Sequence, residues 1–521
     1  MTPRQINRLL PSLTSPTLRA WQARCIETAL QRLSDQQPHF LCQATPGAGK
    51  MLMAAVLTEE LVLNGSIDHV IYLGPTTAVV ERARETFSQI LGHPMHGRLG
   101  DIGIALTYQA LSFRLKDLKQ LCRQGRTLLV WDESHHAAGA TAGAAKNIHT
   151  NPAVTGANQW GLALLALERD VRFTLALSGT PWRTDGSCLP LLRYMAPGHG
   201  VISTSQRAAQ ALSHPESDSL ALIPDFTYTL RDAIQDDVCR IPRLYLIDND
   251  DIRLVAEQHA QRETLHYQSI PALLRHPGVH YSALLRHPGP QQHLLEVSCQ
   301  RLRRLQEEDP TTAGLVVASS ISHAEDIADS LQQMGQTVCL VTSQTAGAHA
   351  RLEAFRYSHT SWIVSVNMVS EGVDIPRLQV CCYLSHVRTE QYFRQVLGRV
   401  IRRRHAQDDA CYFYALNEST LRHYANRLFE DLPDEHAAIQ LNPFASPTVP
   451  APAICPATDS TASNDPGTSG DLPTIEMNGT SHSQAPMSGC VSLSDGLREM
   501  SLDLANDVAF SNAFLARLVS L

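Results

Sequence analysis

The chain has 521 residues, 43% of them hydrophobic and 18% charged, which points to about three domains and excludes a wholly disordered polymer. Aromatics at 6% argue against a large β-sandwich or propeller, and twelve scattered cysteines without a CxxC pair argue against a zinc ribbon, an iron–sulfur cluster or a disulfide framework. The net charge is −8, but residues 441–521 hold eight acids and two bases, so the first 440 residues are nearly neutral and any nucleic-acid binding must use a local groove.

Short apolar runs rich in β-formers recur along the chain with helical stretches between them. The first series comprises residues 39–42, 70–73, 127–131 and 173–177. A second comprises 314–317, 337–341, 362–366, 380–384 and 412–414. Near-continuous apolar strands alternating with helices predict parallel sheets covered on both faces. The expected fold class is therefore α/β, with two tandem parallel-sheet domains over 1–205 and 301–440. Residues 206–300 are expected to be a connector. They contain a small duplication in which Ala272–Gly278 recurs as Ala283–Gly289. Each Arg-His-Pro-Gly reads as a helix end rather than as a metal site. From 441 the composition shifts to Pro, Ser, Thr, Ala and Gly, which predicts disorder. Apolar residues from Leu497 to Leu518 recur at roughly helical spacing and predict a terminal amphipathic helix, with three roles open to it: docking on its own core, binding a protein partner, or fraying. No run is long enough to span a membrane and no secretory pattern opens the chain, so a cytoplasmic location is expected.

Ala44-Thr45-Pro46-Gly47-Ala48-Gly49-Lys50-Met51 follows a predicted strand and opens a predicted helix, Leu52 to Leu63. Glycines in such a turn let backbone N–H groups converge on phosphate oxygens, and the helix N-terminus adds positive potential. Lys50 would reach the β- and γ-phosphates. Met51 stands where a hydroxyl usually serves Mg²⁺, and a thioether is a poor ligand for that hard cation. Downstream, Leu128–Trp131 runs into Asp132 and Glu133, placing two acids at the C-terminal edge of a buried strand, where ligands bind in open parallel sheets. Asp132 suits Mg²⁺ held through its water shell, and Glu133 suits an attacking water. His135 is a candidate link from this site to neighbouring loops.

With these motifs in order, the chain resembles a superfamily 2 helicase of the DEAD/DEAH-box type, most similar to the helicase part of type III restriction enzymes and their bacterial and phage relatives. The resemblance covers about residues 15–420 and implies two RecA-like domains that bind ATP with Mg²⁺. Leu18-Arg19-Ala20-Trp21-Gln22 resembles the adenine-recognition element, with Gln22 reading the base. Thr76 in Gly74–Thr77, and Thr107 in Thr107-Tyr108-Gln109, fall in elements that resemble backbone contacts to nucleic acid. Ser178 and Thr180 lie in the element that resembles the coupling motif, and Ser319 begins the next one. Asn367–Pro376, with Gly372 and Asp374, resembles the element touching both ribose and strand. Gln395–Arg402 resembles the motif carrying arginine fingers. Arg399 and Arg402 are three apart, which places both on one helical face. Their guanidinium forks match phosphate oxygens, whereas Arg403 and Arg404 read as a basic surface.

The resemblance implies an ATP-dependent motor that translocates along or remodels nucleic acid, with DNA favoured over RNA. Lys50, Glu133, Arg399 and Arg402 are its candidate catalytic residues. An alternative of a different class is a nucleotide-dependent nucleic-acid clamp or recruitment subunit with weak hydrolysis, for which Met51 is the main support. No acid–acid–lysine or His-Asn-His cluster suggests a built-in nuclease.

Overall fold

The structure is a computed structural model, and it describes residues 17–137, 159–181, 189–196, 200–203, 221–258, 261–366, 375–405, 407–430, 508–511 and 513–519. Gly372, Asp374 and the segment from 441 to 507 lie outside the described residues.

The first sheet contains β1 (His39–Ala44), β2 (His69–Gly74), β3 (Gly103–Thr107), β4 (Thr127–Asp132) and β5 (Phe173–Ser178). A small antiparallel sheet is formed by β6 (Arg193–Ala196), β7 (Gly200–Ser203) and β8 (Ala221–Leu222). Strand β9 (Phe226–Tyr228) then returns to the first sheet, giving the all-parallel order β3-β2-β4-β5-β1-β9. Every residue of β4 and β5 is buried, as expected for strands covered on both faces. Strand β3 is harder to read from the sequence, because only Ile104-Ala105-Leu106 are apolar between Gly103 and Thr107 at its ends. Gly103 is required there, since a Cβ would lie 2.0 Å from the carbonyl oxygen of Val70 on β2.

The second sheet is ordered β14-β15-β13-β16-β17-β10-β19. Its strands are β10 (Ile241–Asn249), β13 (Ala313–Ala318), β14 (Val338–Val341), β15 (Trp362–Ser365), β16 (Leu378–Leu384), β17 (Ala410–Leu416) and β19 (Phe514–Val519). All neighbours are parallel except β10 and β19. Strands β11 (Ile252–Gln258), β12 (Gln261–Tyr267) and β18 (Val508–Phe510) make a separate antiparallel sheet. The two large sheets with their covering helices form the RecA-like pair that the family resemblance implies. Among the described residues no helix is long and apolar enough to cross a membrane.

Three expectations change. The stretch 206–300 is not a free-standing connector, since β9 belongs to the first sheet and β10 to the second. The last residues form strands rather than an amphipathic helix. They lie at an exposed sheet edge, where backbone pairing outweighs the spacing of a few apolar residues. Arg402 is not on the helix of Arg399. That helix, Glu390–Val400, ends two residues earlier, and Arg402 instead pairs with Cys239 in an isolated antiparallel bridge. The duplicated segments build matching turns, in which the Nδ1 atoms of His276 and His287 accept from the N–H groups of Gly278 and Gly289, each at 3.2 Å.

What pulls the chain past Val400 back onto β10 is Arg240. This fully buried side chain pairs with Asp408 and donates to the carbonyl oxygens of Leu378 and Val400, both at 2.6 Å, and of Pro376 at 3.0 Å. Four partners satisfy a charge that would otherwise be costly to bury. Asp408→Ala should therefore destabilise the second domain by about 3–5 kcal/mol, seen as a lower urea midpoint, whereas Asp409→Ala on the exposed side should change it by less than about 1 kcal/mol.

Candidate functional site

The turn after β1 is shaped by contacts on both sides. Thr45 N–H donates to the carbonyl of Tyr228 on β9 at 3.0 Å, and Arg19 Nη1 donates to Ala48 O at 2.7 Å. Lys50 opens the helix Lys50–Leu63, and its Nζ donates to Ala44 O at 3.1 Å across the mouth of the turn. Gly47 has φ +82°, a backbone region that side chains disfavour. A Cβ there would also lie 3.0 Å from Arg402 Cγ. Pro46 is held still more closely, because a Cβ on Gly179 would meet its ring at 2.9 Å and one on Gly398 at 2.5 Å. Gly398 lies in the helix Glu390–Val400 of the second domain. The phosphate-type turn is thus clasped by both domains.

Beside it opens a cavity of about 350 Å³ lined by Lys50, Asp132 and Glu133 from the first domain and Arg399, Arg402 and Arg403 from the second. Arg19, Arg82, Gly47, Gly49 and Met51 also line it, and Val79 and Val238 add apolar surface. The structure therefore brings together five of the expected groups, Lys50, Asp132, Glu133, Arg399 and Arg402. Arg403 is also drawn in, braced by Asp237 and by Asp409 at 2.7 Å, and Arg404 is tied to Asp309 at 2.7 Å. Neither is the loose basic surface that the sequence suggested. Burial, then repulsion from Arg82, lowers the Arg402 guanidinium to about 10.

Asp132 is nearly fully buried at the end of β4. Tyr72 donates to its Oδ2 at 2.8 Å, the Glu133 N–H to its Oδ1 at 3.0 Å, and Tyr108 to its carbonyl at 2.7 Å. Burial, then the neighbouring Glu133, raises its pKa to about 6, against the pull of Lys50 and Tyr72. Glu133 has φ +50°, an uncommon conformation for a side-chain-bearing residue. The kink turns its carboxylate away from the strand line while Asp132 stays in it.

His135 carries the link to neighbouring loops. It is buried, with Nδ1 3.3 Å from Ser178 Oγ and 3.6 Å from Glu133 Oε2, and with Nε2 3.1 Å from Gln395 Nε2. Ser178 Oγ also accepts from Thr180 N–H at 3.0 Å. Ser178 and Thr180 thus lie in a network running from the acidic strand end to the second domain's helix, and both are buried.

Other expected residues are placed differently. The Gln22 amide is buried and engaged at both ends, donating to Gly49 O at 2.9 Å and accepting from Arg19 N–H at 2.8 Å. It braces the turn with one N–H and one lone pair, which leaves the amide's second N–H and second lone pair for a base edge. Thr76 and Thr107 each cap a helix at the C-terminal edge of the first sheet, accepting from Val79 and Ala110 N–H groups. Ser319 Oγ lies 2.7 Å from His323 Nδ1, while Ser320 caps the next helix. Sequence reasoning missed Arg19, Tyr72, Arg82 and Gln395 as site residues. Arg19 and Gln395 stand inside motifs that were recognised, whereas nothing local singles out Tyr72 or Arg82.

Residues 15–183 match the family described as type III restriction enzyme, res subunit, and residues 295–404 match the helicase conserved C-terminal domain. The two matches support a superfamily 2 helicase similar to the helicase parts of restriction enzymes. Among curated relatives, the chain is 29% identical over 414 residues to an uncharacterized protein of Mycobacterium leprae, covering 77% of this chain and 62% of the relative. It is 28% identical over 413 residues to an uncharacterized protein of Mycobacterium tuberculosis, covering 77% and 61%. The chain thus spans about three-fifths of the length of these relatives. Its fold is similar to the fragment structure of an HsdR subunit of a type I restriction enzyme from Vibrio vulnificus, with TM-score 0.50 and 16% identity over 83% of this chain and 70% of that one.

Because Pro46 cannot retreat between two domains, Gly398→Ala should lower the affinity for a fluorescent ATP analogue by about 10–100-fold while leaving the thermal unfolding temperature close to that of the parent. Unchanged binding would show that the clasp is not part of the site.

Proposed function

We propose that this chain is a nucleic-acid-dependent ATPase that translocates along or remodels nucleic acid, duplex DNA in preference to RNA, in the cytoplasm. One observation carries this reading: Lys50, Asp132 and Glu133 from one domain line the same cavity as Arg399 and Arg402 from the other. Such a cluster of cations facing two acids suits a triphosphate with a divalent cation. Lys50, helped by the helix N-terminus behind it, binds phosphate oxygens. Arg399 and Arg402 neutralise charge on the terminal phosphoryl group. Glu133, turned off the strand line, orients the attacking water. His135 and Gln395 hold that acid's surroundings in register with the second domain.

The Asp132 carboxylate fits Mg²⁺ held through water, since both its oxygens are already oriented by Tyr72 and Glu133. When bound, the cation supplies charge neutralisation. Met51 lines the cavity without a hydroxyl to offer. Thr76 and Thr107 at helix N-termini suit phosphate contacts to a strand, which need no global positive charge. Met51 favours the second reading, a clamp with weak hydrolysis, and steady-state turnover with and without DNA or RNA separates the two.

Lys50→Ala and Glu133→Gln should each reduce nucleic-acid-stimulated ATP turnover by at least about 100-fold, and normal turnover in either would refute the assignment. Met51→Thr should lower the Mg²⁺ concentration needed for half-maximal turnover. Asp132 binds the cation only when ionised. With its pKa raised to about 6, Mg²⁺ affinity should be full above that pH and fall about tenfold per unit below it, measured by titration calorimetry with a bound ATP analogue.

A further inference from the structure

The last described residues return to the second domain after the stretch 431–507 and close the edge of its sheet. Strand β19 pairs antiparallel with β10, from Leu244↔Val519 to Asn249↔Phe514, and β18 pairs with β11. Ser511 joins the two, its N–H donating to Asp251 O at 3.0 Å and its carbonyl accepting from Asn249 Nδ2 at 2.9 Å. The rings of Phe514 and His293 stack with centroids 4.6 Å apart, and Phe510 meets His287 edge-on at 4.9 Å.

The attachment is shallow. Among the side chains described in this segment Val508 is the buried one, and Leu515 is 42% exposed. Backbone pairing therefore supplies most of the hold, as in strand addition to a sheet edge. Such attachments belong to the low-stability end of a fold.

The strand it covers leads to the cavity. Just before β10, Cys239 makes the bridge with Arg402 and the Arg240 N–H donates to Ile401 O at 2.7 Å. β10 thus has the C-terminal strand along one side and the arginine segment at its start. We infer that residues 508–519 are a separable regulatory strand, whose docking on the β10 edge holds Arg402 against the phosphate-type turn. When the strand leaves, β10 loses an edge neighbour and the bridge to Arg402 loosens. This rests on the ATPase reading above.

The test uses the full chain, folded intact, with a specific protease site introduced between residues 470 and 480 and cut afterwards. The C-terminal fragment is expected to dissociate on dilution. Stimulated ATP turnover should fall about tenfold with it, and a synthetic peptide of residues 503–521 should restore turnover saturably. Fluorescence anisotropy of a labelled copy of that peptide reports docking independently of turnover. Full turnover after loss of the fragment overturns the inference, as does a peptide that neither binds nor restores. If the cut protein precipitates, an uncut chain carrying Ala516→Pro and Arg517→Pro decides, because adjacent prolines remove whichever N–H faces β10. Its turnover should drop about tenfold, and parental turnover overturns the inference. A full chain without any stimulated turnover refutes the ATPase reading instead, and the anisotropy titration still decides whether the strand docks.

Discussion

The site depends on one steric constraint, the seating of Pro46 between Gly179 and Gly398. A methyl group at either glycine would overlap the proline ring, so the phosphate-type turn of the first domain can meet the second domain's helix only where side chains are absent. This brings Arg402 Cγ within reach of Gly47, and Arg399 follows because it occupies the last turn of the same helix as Gly398. Packed interiors transmit such a contact rather than absorb it. The relation between the turn and the arginines is therefore a property of backbone approach, more than of charge.

Charge then sets what the cavity will accept. Lys50, Arg19 and Arg82 of the first domain and Arg399, Arg402 and Arg403 of the second line it together with Asp132 and Glu133. Burying a cation is costly, and burial first, then repulsion from Arg82, lowers Arg402. A polyanion relieves that cost. The chain as a whole is acidic, so this concentration of cations is local and directed at one cavity, in keeping with field focusing by a cleft.

Around the acids, the structure separates two adjacent carboxylates by conformation. Asp132 continues β4, buried and oriented by Tyr72, while the positive φ of Glu133 turns the next side chain aside. His135 and Gln395 extend the arrangement across the domain boundary through ring nitrogens and an amide. Coupling of this kind needs short polar contacts that exist in one arrangement of the domains and not in another.

The buried strands and the turn could be read in the sequence because their causes are local. A continuous apolar run forces a strand covered on both faces, and Gly47 and Gly49 before Lys50 mark a backbone that must turn sharply into a helix. Asp132 and Glu133 were legible for the same reason, as polar residues stopping such a run. The sequence by itself thus determined two parallel-sheet domains and five of the groups that line the cavity, Lys50, Asp132, Glu133, Arg399 and Arg402. The tertiary structure alone decided that Arg402 lies beyond its expected helix, that Gln22 braces the turn, and that residues 508–511 and 513–519 pair at a distant edge. Each of these depends on a partner far away in the chain: Cys239 and Arg240 for Arg402, Gly49 for Gln22, β10 for the terminal strand. Periodicity reports which face of an element is apolar, and it carries no information about which distant backbone will supply the hydrogen bonds.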